Sequence, residues 1–307
     1  MKMLSKDGYT RSYRFIQDTG RELEQGLCCH HFTQPCPERI LAALKSYQNA
    51  DGGFGNALEP DFRLPDSSPL ATSIGLRLLQ HFDSQLQAID MIKASVRYLE
   101  ATYVPGRTGW FAVPRAVNSH PHTPWWHHDP QKGMTIIDEH WGNPTAELIG
   151  YLHKYREHVT GTDLDRILNY AIDNLDAKEA FVSFHEIFCY IRLYTLLPQN
   201  QAARLQDRLT EAVHVLTCLD PNKWESEYLP TPLDFVGESE YAFDLSTELI
   251  GMALDHFVAR LEQKGHLVPS WGRAFYKEGL EPAWDEWQAK LTLDMLILLD
   301  RYDRLDT

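Results

Sequence analysis

Two widely separated runs of the chain are nearly the same: Ala146-Glu147-Leu148-Ile149-Gly150 and Thr247-Glu248-Leu249-Ile250-Gly251. A short apolar helical run that recurs must find similar burial each time, which restricts the chain to arrays of stacked elements. Two further runs align with these on their small residue or its equivalent, Leu70-Ala71-Thr72-Ser73-Ile74-Gly75-Leu76 and Lys290-Leu291-Thr292-Leu293-Asp294-Met295-Leu296. A weaker copy is His185-Glu186-Ile187-Phe188-Cys189-Tyr190. Thr72, Glu147, Glu186, Glu248 and Thr292 then hold one equivalent position. The spacing between copies is irregular, as expected when insertions sit on one face of a helical array. Most copies are separated by a second, more amphipathic run. The pattern is that of helical hairpins with apolar helices inside and amphipathic ones outside.

The remaining periodicity agrees. It predicts helices over 13–27, 37–47, 69–82, 85–99, 144–155, 163–175, 180–197, 202–219, 242–262 and 284–305. No alternating run longer than a few residues reads as a strand. Irregular stretches are expected at 104–142, 220–241 and 264–282, the first rich in Trp, His and Pro. No Pro/Gly/Ser linker divides the chain, so residues 1–307 are expected to form a single domain. The loops before the apolar helices carry the aromatics and glycines. Closure of the hairpins into a ring would converge those loops on one mouth, and an all-α, α/α-toroid architecture is therefore expected over an open superhelix.

Composition narrows the function classes. A formal charge of −14 argues against nucleic acid or an anionic membrane surface as partner. No apolar run reaches the ~18–20 residues of a membrane span; the runs 187–197 and 291–299 are interrupted by Arg192 and Asp294. The start, MKMLSKDGYTRSYRF, has no apolar signal core, so a cytoplasmic location with reduced thiols is expected for the five cysteines. Cys28-Cys29-His30-His31…Cys36 puts ligand types side by side, whereas structural zinc sites space them two to four residues apart. Neither a metal nor a cofactor is expected. A small-molecule substrate is the expected partner, and the oligomeric state is left open.

One turn carries a resemblance. Gln48…Asp51-Gly52-Gly53-Phe54-Gly55, following the helix that holds Ile40 to Tyr47, resembles the glutamine–aromatic repeat of the terpenoid cyclase and protein prenyltransferase superfamily. Pro269-Ser270-Trp271-Gly272…Trp284-Asp285-Glu286-Trp287-Gln288…Leu291-Thr292 is similar to a degenerate second copy, and Gly109-Trp110-Phe111-Ala112-Val113-Pro114 to a third. The resemblance implies an α/α toroid and, as the first functional expectation, an enzyme acting on an apolar small molecule. The superfamily's chemistry does not transfer by motif. The chain has no Asp-x-Asp-Asp, no Asp-Asp-x-x-Asp and no Asp-x-Cys. Toroids of this kind also host glycan-cleaving enzymes and binding proteins, so a carbohydrate-active hydrolase or lyase and a non-catalytic binding protein stand beside the first reading.

Candidate chemistry follows from the alignment. Glu147, Glu186 and Glu248 each lie in the first turns of an apolar helix. A carboxylate there suits the helix dipole on its own account. In a closed ring, however, the three would face one cavity, where crowded carboxylates split their pKa values into a proton donor and a base. The second cluster is the run 118–129, with His120, His122, Trp125, Trp126 and His127 between two prolines. It reads as a stiff lip presenting ring faces and imidazoles to a substrate, or as a packing loop, with His120/His122 or His127/Asp129 as possible metal pairs. Glu59, Asp61 and Trp110 complete the expected substrate contacts, Glu59 and Asp61 because they directly precede an apolar helix.

Overall fold

The structure is a computed structural model and describes residues 1–306. Among them the regular structure is helical, with twelve α-helices and five short 3-10 helices; only isolated β-bridges occur besides. In chain order the α-helices are α1 (Lys6–Thr19), α2 (Glu22–Phe32), α3 (Pro37–Lys45), α4 (Pro69–Leu79), α5 (Leu86–Thr102), α6 (Gly142–Lys154), α7 (Leu164–Asp176), α8 (Phe184–Leu196), α9 (Gln199–Leu216), α10 (Pro232–Gly237), α11 (Thr247–Lys264) and α12 (Glu281–Arg301). No helix of the described residues is long and apolar enough to cross a membrane.

The helix expected over 13–27 is two helices. Gly20 is extended (φ −67°, ψ 155°) and its N–H closes α1 on the carbonyl of Ile16. The short α10 lies inside a stretch expected to be irregular. Its start is set by Asp234, whose carboxylate accepts both the N–H and the hydroxyl of Thr231. The other helices fall within a few residues of their expected bounds, with Ser68, Asp163, Ser183 and Ser246 capping α4, α7, α8 and α11 through their side chains.

The chain forms two compact units, Met1–Leu44 with Thr217–Gly237 and Asp244–Thr307, and Lys45–Leu216 with Glu238–Phe243. In the first unit α1 packs on α2, α11 and α12, and α10 packs on α11. In the second unit α4, α6 and α8 form one layer, with α6 in contact with both neighbours. The helices that follow each of them, α5, α7 and α9, pack back on α4, α6 and α8 respectively. The layers differ in burial as the sequence pattern requires: every residue of α6 from Gly142 to His153 is buried, while α7 and α9 bury one stripe each.

The Gln48–Gly55 turn is architecture in the second unit. Gln48 Nε2 donates to the carbonyls of Gly52 (3.0 Å) and Met91 (2.9 Å), and so ties the turn to α5. Gly52 has φ +94°, and a Cβ there would stand 2.3 Å from the carbonyl oxygen of Ala94. Phe54 is fully buried; its ring occupies the space a side chain at Gly75 would need. Burying such a ring contributes about 1.5–3 kcal/mol.

The repeated position of the alignment has a physical role. Thr72 Oγ1 accepts the N–H of Phe54 (3.0 Å), and Thr292 Oγ1 accepts that of Leu267 (2.9 Å). Both threonines also donate to the carbonyl one turn back in their own helix. Glu186 takes the N–H of Gly142 (2.9 Å). In α6 this role falls to Thr145, which bonds the N–H of Trp110 (3.2 Å), so the functional register of that copy is two residues earlier than the alignment puts it. At Thr72 and Thr292 the repeated position therefore holds a loop N–H that would otherwise lose water without a partner.

Candidate functional site

The second unit gathers charge on the buried layer. Glu147, on α6, is only 1 % exposed. Arg77 of α4 reaches both its oxygens through Nη2 (3.0 and 2.9 Å), and Arg192 of α8 reaches Oε2 through Nη1 (3.1 Å). Arg192 then spans to Glu238, with Nε 2.7 Å from Oε2 and Nη2 against Oε1. The result is an alternating chain, Arg77–Glu147–Arg192–Glu238, whose formal charges cancel. Such a chain is how buried charges survive, since an unpaired one would cost several kcal/mol.

The chain fixes the protonation of its carboxylates. Burial works to raise the pKa of Glu147, but Arg77, Arg192 and the Ser73 hydroxyl outweigh it and hold Glu147 below the ordinary glutamate value. The same contest, decided by Arg192 and Arg77, lowers Glu238. Both are therefore anions at neutral pH, and neither has a proton to give. Burial pushes His185, on α8, down to about 4, so its imidazole is neutral. Arg77 keeps 30 % of its side chain open to solvent and Glu238 keeps 25 %. Desolvation is nonetheless the leading influence on both. These side chains are walled in yet reachable.

Glu186 is also buried, and it is fully engaged. Its Oε1 accepts from Gly142 and its Oε2 pairs with Lys178 (2.9 Å). Glu248 differs from both. It stands in the exposed first turn of α11, in the first unit. The three glutamates expected to act alike thus occupy three environments: a two-guanidinium cage, a lysine and loop-anchor site, and solvent.

The expected lip is a tied loop. Asp61 accepts from Trp125 Nε1 (3.1 Å) through its side chain and from the N–H of Thr123 (2.9 Å) through its carbonyl. The Arg63 N–H donates to Pro121 (2.8 Å), and Phe62 meets Trp126 edge-on with ring centroids 5.5 Å apart. Trp126 and Glu59 are buried, as is Asp61. His122 Nδ1 donates to the carbonyl of His120 (2.6 Å). Its Nε2 lies 3.2 Å from His127 Nδ1, with the two rings stacked. Trp125 and His122 are half-buried and His127 is exposed. Trp110 has 0 % exposure, and its indole N–H donates to Leu99 (2.8 Å), so it packs the core between α5 and α6.

Sequence reasoning singled out Glu147 but missed Arg77, Glu238 and Tyr151 as its surroundings. Arg77 and Arg192 were detectable as cations inside otherwise apolar runs, which asks for a buried anion. Glu238 lies in irregular sequence and carries no such signal. Tyr151 is one helical turn beyond Glu147 on the same face of α6 and is 0 % exposed. It lies within electrostatic reach of all four charged members. In comparison with known proteins, the chain matches no family model, no curated protein and no solved structure.

Proposed function

We propose that the helical hairpins close into an α/α toroid of the kind the Gln48–Gly55 turn resembles, and that the protein binds a polar small molecule at Arg77, Glu147, Arg192 and Glu238. The observation that carries this reading is a buried charged chain that remains reachable by solvent at Arg77 and Glu238. Well-packed apolar residues of similar volume are often as stable as a buried ion pair or more so, and stability alone does not account for such a chain. The layering of α4, α6 and α8 beneath α5, α7 and α9 supports the toroid.

In this reading Glu147 shapes and charges the binding face and does not donate a proton. Cyclase-like proton transfer, the first expectation from the sequence, would require a glutamate that keeps its proton, and Glu147 and Glu238 are held on the opposite side. The same argument weighs against either one as the acid of a glycan-cleaving pair, which needs a raised pKa. The test is thermal unfolding of the wild type and Arg77→Met with the small-molecule fraction of a cell extract. Ligand binding raises the wild-type melting temperature by mass action and leaves the variant unmoved. An unmoved wild type, or an equal rise in both, contradicts the reading.

A further inference from the structure

The alternating chain is unfinished at one end. Glu147 and Arg192 each touch two opposite charges, and Glu238 has both oxygens on Arg192. Arg77 terminates the series with one anion, met through Nη2 alone. Its Nε is buried and has no hydrogen-bond partner among the described residues. The hydroxyl of Tyr151, on a fully buried side chain, has none either. Arg77 is bonded to Glu147, and Tyr151 stands one helical turn beyond Glu147 on the same face of α6, so the two unused groups flank one carboxylate.

The unused groups specify a chemistry. A guanidinium N–H can only donate, and burial, the leading influence, pushes the Tyr151 pKa up, so its hydroxyl keeps its proton and can donate too. The chain's carboxylate oxygens are already taken by guanidinium groups. Donors are therefore in surplus, and a ligand must bring acceptor oxygens. Its charge follows from the order of the series, in which the next member after Arg77 is an anion. A planar carboxylate matches a guanidinium edge and accepts a phenolic hydroxyl as well. Arg77 keeps 30 % of its side chain open to solvent, but its Nε and the Tyr151 hydroxyl are sealed, so binding requires the side chains over them to shift.

We propose that Arg77 and Tyr151 form a binding site for the carboxylate group of a small organic acid, the fifth member of the chain. This rests on the small-molecule reading above and names the ligand class for the same face. Glu147 holds the Arg77 guanidinium in place, Arg77 Nε–H donates to one carboxylate oxygen, and the Tyr151 hydroxyl donates to the carboxylate as well. Glu147 and Tyr151 are then positioning and binding residues respectively, with no covalent step involved.

The experiment uses the full chain and ligand-observed NMR with acetate, benzoate and hexanoate against acetamide, benzamide and hexanamide at millimolar concentration, a range suited to ligands of few atoms. The expected result is saturable binding of at least one acid, at least tenfold tighter than its amide, and lost in Arg77→Met. Tyr151→Phe is the decisive second variant, because it removes only a hydroxyl that has no partner in the free protein. It should fold as well as the wild type, with an equal or higher melting temperature, and bind the acid about tenfold more weakly. Acid and amide binding alike, no acid bound, or acid affinity unchanged in Tyr151→Phe each overturn the proposal. An extract that still stabilises the wild type but not Arg77→Met, with the acids failing, overturns the ligand class alone and leaves the small-molecule reading standing.

Discussion

Glu147 and Glu248 sit in five-residue runs that differ only at their first residue, yet one is sealed between two guanidinium groups and the other faces solvent. The apolar residues that directly follow, Leu-Ile-Gly, are the same for both, but Glu248 lies in the first turn of α11 and Glu147 is the sixth residue of α6. The partners differ. α6 is buried on all sides, and its neighbours α4 and α8 each bring an arginine to Glu147. α11 exposes Thr247, Glu248 and Met252 and brings nothing to the carboxylate that resembles a cage. A short repeated run thus sets the helix, while its register and the use of its glutamate are decided by residues far away in the chain.

The comparison breaks most sharply at Glu147. Glu147→Gln leaves two buried arginines short of an anion and is expected to cost about 3–5 kcal/mol, read from chemical denaturation. The variant should also change the acid limb of stability. Because the folded pKa of Glu147 is depressed, its contribution is complete above the unfolded carboxylate value of roughly 4.3 and is lost as pH falls through the lower folded value. The wild type should therefore lose stability more steeply than Glu147→Gln as pH drops below about 4.3. Parallel acid limbs would mean that the arginines do not hold the carboxylate.

Glu186 gives an intermediate case. Glu186→Gln keeps an oxygen for the Gly142 N–H but removes the charge facing Lys178, and a loss of about 1–2 kcal/mol is expected from the same measurement. Equality with Glu147→Gln would show that burial alone sets the cost. Glu248→Gln should fall within about 0.5 kcal/mol of the wild type, as exposed substitutions do, and should leave any ligand-induced stabilisation unchanged. A loss as large as that of Glu147→Gln would restore the equivalence the repeat suggests.

The sequence carried the helical class and most helix bounds, because those rest on local periodicity and caps. It carried less about use. Thr72 and Thr292 looked like the plain members of the aligned position, and they show its structural task, holding a loop N–H. Thr145 performs that task in α6, which frees Glu147, two residues on, for a different partner. The break at Gly20 and the helix α10 were missed because each depends on a single local bond, the Gly20 N–H to Ile16 and the Asp234 carboxylate to Thr231. The charged chain was legible only in part, since Arg77 and Arg192 stand out as cations in apolar runs but Glu238 carries no such signal and only packing makes the four neighbours.

The central claim is that Glu147 is a fixed anion, held by arginines, and not a reserve of protons. Its side-chain carboxyl carbon can be followed directly by 13C NMR through a pH titration of the folded protein, with Glu147→Gln identifying the signal. The account predicts a carboxylate throughout the neutral range, titrating below ordinary glutamate. A resonance that titrates above the ordinary value, with the proton retained toward neutral pH, would contradict it and return Glu147 to the role of a proton donor.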